Sequence, residues 1–327
     1  MEASCKTLRR SIHSFLQNYH YFTSTAALLA LPFSASILIS QTLVPASSSL
    51  LPHVHSHLRT LFDAAGFPSS SQLFSILNLK VSQTITSSIF TLPFTFTFLL
   101  IAKASIIQVL NHHKPTLPPS FTSIILLYKP LLLTYVYNSF FILSANASCF
   151  CILFLAFTFA EGLGYSSSSS SLLMSASAAV LFSVILANAL VICNMALTLS
   201  GMEGHGGYMA ILKACVILRG KTSMALFLAL AVNVGLAAIE ALFQFRIVRA
   251  YHIGGMSSWP FMALEGIFIA YLYSIFIVID TIVSCMFYKI CKVGLRGDQE
   301  DKHYFSIEFP EEDNCGYSVF KNFKEVP

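Results

Sequence analysis

The chain alternates long apolar stretches with short polar ones, and its first residues carry the clearest helical period. Leu8, Ile12, Phe15, Leu16, Tyr19 and Phe22 fall on one face at about 100° per residue, and Lys6, Arg9, Arg10, His13, Gln17 and His20 fall on the other. The pattern predicts an interfacial amphipathic helix over residues 1–21, lying in the headgroup plane with its basic face toward anionic lipid. A mitochondrial presequence also starts basic and amphipathic, but this segment runs straight into a full-length apolar stretch, which favours the interfacial reading. The same length argues against a cleaved signal peptide.

Six apolar stretches follow, each long enough to cross a bilayer, since about 20 helical residues span about 30 Å of hydrocarbon. They are read as 22–44, 80–103, 130–161, 172–198, 223–243 and 262–288. Pro32 and Pro93 sit inside the first two, where a missing backbone donor kinks a helix that bundled neighbours can tolerate. The third stretch is free of charge from 130 to 160, long enough for one tilted helix or for two short spans turning near Asn146. Basic residues favour the cytosolic side and decide between them. With six spans the inner side holds Lys6, Arg9, Arg10, Lys103, Lys114, Lys129, Lys213, Arg219, Lys221, Lys289, Lys292 and Arg296, and the outer side Arg59, Lys80, Arg246 and Arg249. Splitting the third stretch evens the two sides. The fold expected is therefore an all-α, polytopic membrane helical bundle of six transmembrane helices over residues 22–293, with both termini cytosolic. On this topology the glycosylation sequon at Asn146 is buried in the bilayer and unused.

Composition agrees. Apolar residues make up 55% of the chain and charged ones 10%, against roughly 25% charged in ordinary soluble domains. The net charge of +4 gathers at membrane edges, with no basic, aromatic-interleaved surface for nucleic acid. Residues 294–327 are acidic and lack a helical period, as expected of a disordered cytosolic tail. Within it Tyr304–Ile307 and Tyr317–Phe320 match the short tyrosine pattern of endocytic sorting signals. Cys285 and Cys291 flank the inner end of the last span, where palmitoylation is a possible fate.

Candidate chemistry is sparse. No nucleophile elbow, H-E-x-x-H or Walker A loop occurs. His53, His55 and His57 would share one side of an extended segment, but the second span separates them from His112 and His113, so no metal site is expected to converge. Glu240 and Glu265, near the outer ends of spans five and six, are expected to pair with Arg246, Arg249 and His252. Asp280 lies deeper in span six, where an ionised carboxylate needs a partner. Asn188, Asn194 and Asn233 in neighbouring spans are the candidate donors. Either a structural polar clasp or a proton or solute pathway fits these residues.

The segment Gly201-Met-Glu-Gly-His-Gly-Gly-Tyr-Met-Ala210, followed by Leu218-Arg-Gly-Lys221, resembles a pattern in a plant family of uncharacterised six-span membrane proteins. Glu203, Gly207, Ala210, Leu218, Gly220 and Lys221 carry the likeness, together with Tyr288, Cys291 and Lys292 in the closing Phe287-Tyr-Lys-Ile-Cys-Lys292. Cys215 stands where that pattern has a serine. A fainter similarity extends to the membrane-anchor domain of bacterial glycerophosphodiester phosphodiesterases, and implies fold without activity. Residues 208–218 form a short helix between spans four and five, either at the inner surface with Lys213, Arg219 and Lys221 facing anionic lipid or dipping back into the membrane against other helices. The expected role is non-enzymatic and cofactor-free: a scaffold or lipid-interacting protein of the endomembrane system or plasma membrane, with membrane lipids as partners. The alternative is a small-solute or proton-coupled transporter using Asp280.

Overall fold

The computed structural model describes residues 2–46, 50–64, 72–111, 121–162, 168–249 and 259–305. His112, His113, His252 and the tail beyond 305, with its second tyrosine motif, lie outside them. All regular structure among the described residues is helical. Six helices are long and apolar enough to cross a membrane: Tyr19–Ser40, Asn78–Asn111, Thr122–Leu153, Ala176–Glu203, Thr222–Val248 and Phe261–Val293. The third is part of one unbroken helix, Phe121–Gly162, running through Pro130 and Asn146. No turn divides it, so the split reading fails.

Three π-helical turns, Ala26–Ala30, Thr95–Leu99 and Gln244–Val248, interrupt spans one, two and five. The first two lie within a turn or so of Pro32 and Pro93, where the α-helical ladder already lacks a donor. Two sequence boundaries shift. The second span runs on past Lys103 to Asn111, which places that lysine inside the helix. The last helix, Trp259–Phe305, continues into the segment expected to be disordered, as far as Phe305. Extending an existing helix needs no new nucleus, so polar residues can continue it.

One end of the bundle gathers the ends that alternation requires. Leu8 of the N-terminal helix, Ala210 and Ile217 of the connecting helix, Ala225 at the start of span five, and Tyr288 and Cys291 at the end of span six share one core cluster. Lys289 Nζ donates to the Leu110 carbonyl at the end of span two, 2.6 Å away. At the opposite end Arg246 Nε meets Glu265 Oε1 at 2.6 Å, and Tyr273 donates to Glu240 Oε1 at 2.9 Å. The expected pairing of these glutamates is half met: a tyrosine takes Glu240, and Arg249 instead stacks over Phe245.

The N-terminal helix, Glu2–Gln17, has three faces where the pattern predicts two. Ser4, Thr7, Ser11 and Ser14 are buried, and the helix packs against spans five and six. Ile12, Leu16 and Tyr19 remain exposed, as do Arg9, Arg10 and His13. Small hydroxylated residues allow close helix approach, and Thr7 and Ser11 satisfy their hydroxyls on the carbonyls of Ala3 and Thr7. His53, His55 and His57 lie on a helix, Leu50–Ala64, so His53 and His57 meet edge to face one turn apart instead of lining an extended strand. Among the described residues no group of three or more potential ligands gathers for a metal.

Candidate functional site

The site is built around the turn that ends span four. Glu203 is the last residue of its helix, and Gly204 and Gly207 take φ of 72° and 85°. Gly207 N–H then donates to Thr134 Oγ1 of span three at 2.8 Å, and Thr134 Oγ1 lies 2.9 Å from Ser200 Oγ. A side chain at 207 would strain that left-handed backbone. Gly206 approaches span three more closely still: a Cβ there would collide with the backbone of Pro130. The turn is thus pressed onto the third span where proline has interrupted its ladder.

The connecting helix, Tyr208–Leu218, folds back from this turn. Ala210, Ile211, Ala214, Ile217 and Leu218 are buried against the bundle. The helix is therefore packed against the other helices rather than standing clear of them. Its weak amphipathy has a physical source: the outward face is apolar too, with Tyr208, Met209, Leu212 and Val216 exposed, Met209 by 69%. Such an apolar patch suits contact with lipid or with another protein better than water. Gly220, at φ 81°, ends the helix, and Lys221 opens span five.

Glu203 becomes the hub for three partners, one from the connecting helix and two from the end of span six. Tyr288 donates to its Oε1 at 2.7 Å, Lys213 Nζ meets Oε2 at 2.5 Å, and Lys292 Nζ lies 3.7 Å from Oε1. Lys292 also sits over the Tyr288 ring, 5.6 Å from its centre. Tyr288 is 3% exposed, whereas the Lys213 and Lys292 side chains are 54% and 62% exposed. The strongest tie is therefore the tyrosine, worth about 1.5–3 kcal/mol as a hydrogen bond to a charge, while exposed ion pairs contribute about 0–1 kcal/mol. Lys213, read as a lipid-facing cation, is held by Glu203. Arg219 remains exposed and Lys221 partly so. Cys291 and Cys285 are fully buried, so neither presents a thiol for acylation in this conformation. Cys215, on the connecting helix, is exposed.

A second polar constellation lies deeper. Asn194 Nδ2 donates to Asp280 Oδ2 at 3.3 Å and to Ser284 Oγ at 3.1 Å, and its Oδ1 accepts from Lys103 Nζ at 3.2 Å. One amide thus links a carboxylate and an ammonium, leaving the trio neutral. Beside it is a cavity of about 40 Å³ lined by Asp280, Asn194 and Ser284 together with apolar side chains of spans four, five and six. Sequence reasoning found Asp280 and Asn194 but missed Lys103, which it had used to end span two; the signal was the mostly apolar segment Ile106–Leu110 beyond it, broken only by Gln108. Asn188 and Asn233 do not join. Each amide bonds only within its own helix, to Val184 and Ala229 carbonyls, among the described hydrogen bonds.

The nine residues carrying the resemblance fall largely into one region: Glu203, Tyr288 and Lys292 form the hub, Ala210, Leu218 and Cys291 are core beside it, and Gly207, Gly220 and Lys221 bound the connecting helix. Searches of curated proteins and of solved structures return no match. Residues 3–307 match the family described as a domain of unknown function, DUF8558, and the chain belongs to that family.

Proposed function

We propose that this is a non-enzymatic membrane protein that binds anionic lipid at its cytosolic face, in the endomembrane system or plasma membrane. One observation carries the reading: the N-terminal and connecting helices both dock on the C-terminal end of span six and both leave an apolar face and basic residues uncovered. Ile12, Leu16 and Tyr19 stand near Arg9 and Arg10 in sequence, and Met209, Leu212 and Val216 precede Arg219 and Lys221. Acyl chains suit the first set and anionic headgroups the second.

Spin-labelled lipids in proteoliposomes test it. An anionic lipid should be motionally restricted in preference to phosphatidylcholine, at about 1 kcal/mol per basic residue near the surface. The preference should fall with salt and on combined Arg9→Gln, Arg10→Gln, Arg219→Gln and Lys221→Gln. Equal restriction of both lipids would refute the reading. Transport through Asp280 is the second reading, favoured by the Lys103–Asn194–Asp280 chain beside its cavity. A cavity of about 40 Å³ has room for water, which needs roughly 10–15 Å³ by this measure, and little else. An Asp280-dependent, saturable flux in liposomes would promote it over lipid binding.

A further inference from the structure

The fifth span has two unlike long faces. Ala225, Leu228, Val232, Ile239 and Phe243 are buried in the bundle, and Gly235 lies so close to the Phe276 ring that a Cβ would collide. On the opposite side Leu226, Leu230, Asn233, Ala237 and Ala241 are exposed, recurring in steps of three and four. Asn233 is the one polar member of this stripe. Counting from Thr222, its amide is about 16 Å into a hydrocarbon layer of about 30 Å, near the midplane.

A carboxamide has two donor hydrogens and an acceptor oxygen. Asn233 uses Nδ2 on the Ala229 carbonyl at 2.8 Å, and no described hydrogen bond reaches its oxygen. Lipid offers no donor at that depth, so the exposed amide calls for a polar partner outside the chain.

We propose that this stripe is the interface between two copies of the chain, with Asn233 of one bonded to Asn233 of the other across a two-fold axis. The amide is donor and acceptor at once and so complements itself, as a symmetric contact requires. Ala237 and Ala241 let the two backbones approach, and the three-and-four spacing suits a left-handed crossing of about 20°. The opposite face is occupied by span six, so the contact leaves the bundle intact.

The test is photobleaching of the singly labelled full chain, purified and reconstituted in bilayers over a range of densities. Two-step bleaching is expected, with Asn233→Leu weakening the dimerisation constant roughly tenfold, the effect of one interhelical asparagine pair in model membranes. Ala237→Phe should abolish dimers by holding the helices apart. Asn188→Leu, in span four, should leave them unchanged. Because position 233 faces away from the core, Asn233→Leu should also melt like the natural chain, which separates lost pairing from lost folding. Single-step bleaching at every density, or Asn233→Leu dimers as strong as the natural ones, would overturn the proposal. Dimers that form only after another membrane protein is added would overturn it equally.

Discussion

Among single residues, Lys103 and Asp280 are the ones whose charges need each other. Neither touches the other directly; the Asn194 amide relays between them. Removing one charge takes away what stabilises the other across the Asn194 amide, at a cost of about 1–3 kcal/mol. Lys103→Met and Asp280→Asn should therefore each lower the melting temperature in detergent, and the double variant should recover most of the loss. The coupling measured by that cycle separates a charge pair from two independent packing defects. Simple additivity would show that Asn194 does not couple them. Asp280 stood out in the sequence because it interrupts an apolar span. Lys103 did not, because a basic residue after a long apolar run reads as a membrane edge.

The short helices show what periodicity resolves at the scale of an element. The N-terminal helix is amphipathic, yet the face that packs is not the apolar one as a whole: it joins the Ser4–Thr7–Ser11–Ser14 stripe to Leu8 and Phe15 and leaves Ile12 and Leu16 exposed. A scale that scores hydroxyls as polar assigns that stripe to water, whereas helix contacts in membranes prefer small residues. Ser11→Leu should accordingly overpack the contact with spans five and six, at about 1–3 kcal/mol. A cysteine at Thr7 should then react with an impermeant reagent that it resists in the natural context; unchanged protection would mean that the stripe is not the docking face. The connecting helix was legible from its bounding Glu203 and Gly220, but not its docking. Nothing local announces that Gly206 lies on the Pro130 backbone.

For the whole molecule, the six spans were readable because each exceeds the thickness of the hydrocarbon, a constraint that acts on sequence directly. The convergence of Glu203 with Tyr288 and Lys292 was not, since contacts across 85 positions leave no periodic trace. The central claim is that an even number of spans returns both termini to the face carrying the connecting helix. Protease added to the cytosolic side of intact microsomes, acting on fluorescent tags fused to either end, tests it most directly. Digestion of both tags is the predicted result. Protection of one tag alone would require an odd number of spans, and protection of both would invert the bundle and remove its basic face from the cytosol.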